Sequence, residues 1–174
     1  MNVMEEVLKQ KEYTISMRRM FHRHPELSMK ETETAARIRA ELDKMGIPYE
    51  TVGETGTIGT LKGKKAHPVI GLRCDIDALP ITEVKDLEFK SENKGVMHAC
   101  GHDGHISMLL TAAKVLSEHR DELQCTVKFI FQPAEEQMGG AIQILNSGKL
   151  GELDTVAGMH IFPYLKTGTI SVDP

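Results

Sequence analysis

Aromatic side chains are scarce in this chain of 174 residues, at 5%, and no block of basic residues stands against a formal net charge of −4. That balance offers no cationic face for a nucleic-acid backbone. Long apolar runs are missing too: none approaches the ~20 residues that a membrane-spanning helix needs. Met1 to Lys9 carries Glu5 and Glu6 and has no apolar core of the signal-peptide kind. The expectation is a cytoplasmic protein without nucleic-acid or membrane partners. Cysteine is sparse and odd in number (Cys74, Cys100, Cys125), which argues against a disulfide framework and fits reduced thiols. The ten methionines are scattered and form no binding stripe. What remains, 40% hydrophobic and 26% charged, is the composition of one globular domain with its own core.

Apolar periodicity predicts helices over Glu5–Phe21 and Thr32–Met45, separated by His24-Pro25-Glu26, where proline breaks the chain. Ser28-Met29-Lys30-Glu31 has the Ser-x-x-Glu form of a capping box for the second helix, which Gly46 and Pro48 close. Strands are expected at Tyr49–Val52, Thr57–Lys62, Val69–Cys74, Cys125–Phe131, Thr155–His160 and Thr167–Val172. Helices are expected at His105–His119 and Gly140–Leu145. Residues 81–103 read as a long loop, and long irregular segments in compact domains are often functional. Strands alternating with helices imply an α/β fold with a mostly parallel sheet. In such sheets ligands sit beyond the carboxyl ends of the strands. Asp75, Asp77, Glu135, Glu136 and His160 all fall there.

The densest chemistry lies in Met97-His98-Ala99-Cys100-Gly101-His102-Asp103-Gly104-His105. A thiol and an imidazole one residue apart can face a single ion if Gly101 relieves crowding, and that donor pair suits zinc and similar metals. The blander reading is a buried thiol beside a surface histidine. Glu135-Glu136 follows a buried strand and Pro133; adjacent carboxylates repel, and a metal beside them would offset this, although acidic pairs are also common in solvated loops. His160 alone would pass for a rim residue and becomes a candidate ligand only in company. Asp75 and Asp77 are candidates for orienting imidazole ligands, or plain strand-end turn residues. His22, His24, His67 and His119 read as structural or surface groups, and Cys74 and Cys125 as core thiols. His98 and His105 stay open, with support of the ligands as one option.

Five ordered motifs carry a resemblance: Phe21-His22-Arg23-His24-Pro25-Glu26-Leu27, Asp75-Ile76-Asp77-Ala78-Leu79-Pro80-Ile81, Met97 to His105, Phe131-Gln132-Pro133-Ala134-Glu135-Glu136, and Gly158-Met159-His160. In this order they resemble the hippurate hydrolase, auxin-conjugate (IAA-amino acid) hydrolase and N-acyl-amino-acid amidohydrolase branch of the dinuclear metallopeptidase/amidohydrolase family. The resemblance implies a three-layer α/β/α sandwich of the zinc-exopeptidase type. It implies two divalent ions, zinc or manganese, held by Cys100, His102, Glu136 and His160. Glu135 matches the general base and Asp77 an aspartate close to the metal centre; Asp75 and Asp103 are expected to support the ligands. Cys74 departs from the pattern, standing where small residues such as alanine are usual, with packing as its only expected effect.

The implied reaction is hydrolysis of the amide of an N-acyl amino acid by water activated at the metal centre, with Glu135 as general base. Members of the family continue through an inserted lid and dimerisation domain and return to complete the catalytic domain with one more histidine ligand. Residues 1–174 therefore read as the N-terminal part of that domain, C-terminally incomplete, with a homodimer expected for the full-length form. The competing reading is a catalytically inactive metal-binding fragment. A structural zinc module fits less well, since closed structural sites favour cysteine and histidine without an adjacent free carboxylate.

Overall fold

The computed structural model describes residues 2–172. Its order is α1 (Val3–Lys9), α2 (Lys11–Arg23), α3 (Thr32–Lys44), β1 (Tyr49–Val52), β2 (Gly56–Lys62), β3 (Val69–Asp75), α4 (His102–Glu118), β4 (Thr126–Gln132), α5 (Gly140–Asn146) and β5 (Thr155–Gly158), with a 3-10 turn at Arg120–Glu122. The strands form one sheet in the order β1-β2-β4-β3-β5.

The expectation of a mostly parallel sheet holds for β4-β3-β5, where both pairings are parallel. It does not hold at the other side, where β1 pairs with β2 and β2 with β4 antiparallel. The reason is connection length: β1 and β2 are joined by Gly53-Glu54-Thr55, too short for the crossover that parallel neighbours need. β3 reaches β4 through α4, as a parallel pair requires.

Alternation along β4 builds two cores, one on each face of the sheet. Val127, Phe129 and Phe131 join Phe21, Ile38, Leu42, Leu61, Ile106 and Leu110 on the face covered by α2, α3 and α4. Ile130 packs with Val52, Ile58 and Ile144 beneath α5 on the other. The result is the three-layer α/β/α arrangement. Cys74 is 3% exposed within the first core, consistent with a packing role.

Several element boundaries differ from the sequence reading. The first helix is two, because the chain turns at Gln10, whose N–H bonds Val7 O. α2 then follows its contact with α4, where the Thr14 and Thr111 hydroxyls meet at 2.7 Å, whereas α1 buries nothing. α4 starts at His102 rather than His105, drawing the histidine cluster into a helical first turn. β5 ends at Gly158, paired with Arg73, so Met159 and His160 leave the sheet. Residues 167–172 form no strand, since alternation alone provides no partner for its backbone.

The capping box is also absent. The α3 amides of Glu33 and Thr34 donate instead to the Glu26 carboxylate, at 3.2 and 2.7 Å, and the Thr34 hydroxyl joins at 2.8 Å. No described helix is long and apolar enough to cross a membrane.

Candidate metal centre

The carboxyl ends of β3, β4 and β5 point at the N-terminus of α4. Gly101 makes that meeting possible: it takes φ +87°, a left-handed conformation that lets the chain turn from Cys100 into the helix. His102 and His105 then lie three residues apart on one helical face, with ring centroids 5.3 Å apart. Three sets of donor atoms each gather within 4.8 Å: Cys100, His102 and His160; Asp75, His102 and His105; and His102, Glu135 and Glu136.

His102, shared by all three sets, is completely buried. Its Nδ1–H donates to the Asp77 carbonyl at 2.8 Å. A carbonyl can only accept, so in the neutral ring the Nε2 carries the lone pair. That Nε2 has no hydrogen-bond partner among the described residues, and neither does Glu136 Oε1. It faces Asp75 Oδ1 at 3.6 Å, Glu136 Oε1 at 3.8 Å and Glu135 Oε2 at 4.0 Å. A buried lone pair pointed at carboxylates leaves room for a proton or a cation. Burial opposes the proton, but the Asp77 and Asp75 carboxylates outweigh it and raise the His102 pKa. The donor set of thiol, imidazole and carboxylate fits a divalent transition metal.

Cys100 Sγ lies 3.3 Å from His160 Nε2. Burial, with Glu136 and Glu135 close by, pushes the thiol up to about 12. A divalent cation among these groups would reverse that balance, since a coordinating thiol is deprotonated outright. Asp77 is held at about 2: burial works against its charge, but His102, the Ser28 hydroxyl and the amides of Glu136 and Glu135 prevail. The last two amides each donate to Asp77 at 3.1 Å. Asp75 binds His105 Nδ1 at 2.6 Å and Arg73 at 2.8 Å.

Of the residues singled out in the sequence, the structure brings together Cys100, His102, Glu135, Glu136, His160, Asp75 and Asp77. Asp103 turns away: its carboxylate binds Arg18 at 3.0 Å and His22 at 2.8 Å. Of the structural and surface readings of His22 the structural one holds: it is 3% exposed, with its other nitrogen 3.1 Å from Glu83. His105 is buried and bridges Asp75 to the Ile161 amide. His98 is buried, neither ring nitrogen has a hydrogen-bond partner among the described residues, and burial lowers its pKa to about 4. Sequence reasoning missed the reach of Ser28 and Glu31 into this region; their motif drew attention to them but pointed to helix capping.

The fold and site define an α/β/α sandwich with a cluster of potential metal-binding groups at its strand ends. Residues 71–174 match the peptidase family M20/M25/M40, and the chain belongs to that family. It is 46% identical over 161 residues to the IAA-amino acid hydrolase ILR1-like 5 of Arabidopsis thaliana, covering 92% of this chain and 37% of that protein. It is 48% identical over 160 residues to the N-acetylcysteine deacetylase of Bacillus subtilis, covering 91% and 42%. The crystal structure of the Bacillus subtilis YXEP protein, a dinuclear metal-binding M20 peptidase, matches with a TM-score of 0.89 at 47% identity, covering 92% of this chain and 46% of that one. The chain thus spans about two fifths of the length of the curated relatives it matches.

Proposed function

We propose that residues 1–174 are the N-terminal part of the catalytic domain of a metal-dependent amidohydrolase that cleaves N-acyl amino acids. The observation that carries this reading is the buried His102 Nε2, unpartnered among the described residues, which faces Glu135 and Glu136 while His102 is also gathered with Cys100 and His160. Relatives named for hydrolysis of an IAA-amino acid and for deacetylation of N-acetylcysteine share an acylated amino acid as substrate class.

Cys100, His102, Glu136 and His160 would hold the cations, two in number by likeness to the dinuclear relative. The thiolate favours zinc, while the carboxylates also accept manganese. When bound, a divalent cation acidifies water and offsets negative charge on an amide oxygen. The chain's own residues then do the rest. Asp77 fixes the His102 tautomer through its backbone carbonyl and orients the Glu135–Glu136 segment through its carboxylate. Asp75 carries negative charge beside His102 and His105. Asp103 supports the first turn of α4 by binding α2.

Glu135 is the one of the adjacent pair with the more exposed side chain, 42% against 21% for Glu136, and so the one free to take a proton from water and pass it to the leaving amine. General acid–base help of this kind contributes about 10²–10⁴-fold. The test is Glu135→Gln in the full-length protein that contains this chain, assayed on an N-acetyl amino acid with zinc or manganese. The expected result is full metal content with turnover lowered by at least about 10²-fold. Turnover near the parental rate removes Glu135 from the role of base.

A further inference from the structure

The loop between α2 and α3 reaches the candidate metal centre at two points that capping does not explain. The Ser28 hydroxyl donates to Asp77 Oδ2 at 2.6 Å. Glu31, 0% exposed, accepts the Ala134 amide on its Oε1 at 2.8 Å, across 103 positions of sequence. Between them Met29 adopts φ +62°, and its Cε lies close enough to Gly139 that a Cβ there would come within 3.1 Å. Of the Ser-x-x-Glu motif, Glu31 therefore meets the segment that carries Glu135 and Glu136 directly, and Ser28 meets it through Asp77.

That segment needs holding. Ala134 sits at φ +47°, in the left-handed region that costs a residue with a Cβ free energy. It is 1% exposed, so the conformation is fixed by surroundings rather than by water. The turn aims three successive amides at carboxylates: Ala134 at Glu31, and Glu135 and Glu136 at Asp77. Without Glu31 the Ala134 amide would be buried and unpaired, and the backbone would gain by leaving the strained conformation.

We propose that Ser28 and Glu31 are positioning residues, a brace from the α2–α3 loop that keeps Ala134 left-handed and so sets the direction of Glu135 and Glu136. The brace rests on the proposed function only for its consequence at the metal centre; its structural effect stands apart. Neither residue touches the donor cluster directly. Glu31 acts through the Ala134 amide, and Ser28 through Asp77.

The experiment compares the full-length protein that contains this chain with its Glu31→Leu, Glu31→Gln and Glu31→Leu/Ala134→Gly variants. Amide hydrogen exchange is measured on the metal-free proteins and zinc affinity by chelator competition. Loss of a buried hydrogen bond predicts that Glu31→Leu speeds exchange at Ala134, Glu135 and Glu136 about 10-fold or more, leaves Phe129 to Phe131 unchanged, and weakens zinc binding about 10-fold. Glu31→Gln keeps an oxygen acceptor and stays close to the parent. Adding Ala134→Gly to Glu31→Leu recovers most of the zinc affinity, because glycine takes the left-handed conformation without penalty. Unchanged exchange at 134–136, loss of protection spread equally through β4, or no recovery with glycine overturns the brace. If the full-length parent itself binds no zinc, the proposed function fails, and the exchange measurement still decides the brace.

Discussion

The Nε2 of His105 accepts the amide hydrogen of Ile161 at 2.8 Å. An amide can only donate, so the ring proton of neutral His105 lies on Nδ1, where it is given to Asp75 at 2.6 Å. The chain Asp75–His105–Ile161 thereby ties the end of β3 to the residue after His160, at the point where the backbone has left the sheet.

His105→Ala is expected to release that tie. The Ile161 amide should exchange faster in the metal-free chain, and metal affinity should fall about 10-fold as His160 loses its direction, in line with the loss on removing a group that orients a ligand. Chelator competition with zinc checks the second effect, and unchanged affinity would show that His160 is placed without His105.

His22 sets a pH dependence. It lies between Asp103 and Glu83 with both ring nitrogens engaged. The Asp103 bond raises its pKa; burial opposes this, and Glu83 adds to the rise. A histidine raised in the folded state contributes stability that is fully present below its unfolded value of about 6.5 and lost as pH rises through the folded value. Asp103 and Glu83, both lowered despite burial, contribute stability above their unfolded values that is lost in acid. His22→Leu should cost about 1–3 kcal/mol near pH 6, since it takes one partner from each of two buried carboxylates while Asp103 keeps Arg18 and Glu83 keeps the Ser91 amide, and should remove the parent's decline above about pH 6.5. Urea denaturation across pH 5 to 9 checks this; an identical slope in the variant would place that titration elsewhere.

Gly140 and Gly46 should respond differently to alanine. A Cβ on Gly140 would fall 1.6 Å from the Pro133 carbonyl oxygen, so the backbone itself must move. Gly46 has φ +62° but nothing within 4 Å of the added atom. Gly46→Ala is expected to cost about 1–2 kcal/mol, the penalty of a left-handed residue, and Gly140→Ala roughly 4 kcal/mol or more. Thermal unfolding of the two variants checks the order.

Helix capping gives a fourth contrast. Glu26→Ala removes the acceptor of three hydrogen bonds at the start of α3 and should cost about 1–2 kcal/mol. Ser28→Ala should leave exchange in the first turn of α3 unchanged, because its hydroxyl serves Asp77 instead. Faster exchange there in Ser28→Ala would restore the capping box.

Periodicity and strand-end position made the α/β layering and most of the cluster legible in advance, because burial on one face leaves a visible mark at Ile106, Leu109 and Leu110, or at Phe129 and Phe131. Cys100 and His102 could be paired from spacing because Gly101 stands between them. What stayed hidden depends on distance in sequence. Glu31 and Ala134 meet through the packing of two loops, and His22 finds Asp103 only once α2 lies on α4. The antiparallel half of the sheet was hidden for another reason: alternation shows which face is buried and says nothing of strand direction. The break in the N-terminal helix was also hidden, because no glycine or proline marks the turn at Gln10. At residues 167–172 the pattern of a strand was present without a neighbour to pair with.

In the proposed centre, Cys100 and His102 share a cation with the surrounding carboxylates and His160. X-ray absorption at the zinc edge, on the full-length protein loaded with zinc, tests it most directly. The predicted result is a sulfur neighbour at about 2.3 Å together with nitrogen or oxygen neighbours at about 2.0–2.2 Å, with the sulfur lost in Cys100→Ser. Zinc surrounded by nitrogen and oxygen alone, or a sulfur signal that survives Cys100→Ser, would contradict it.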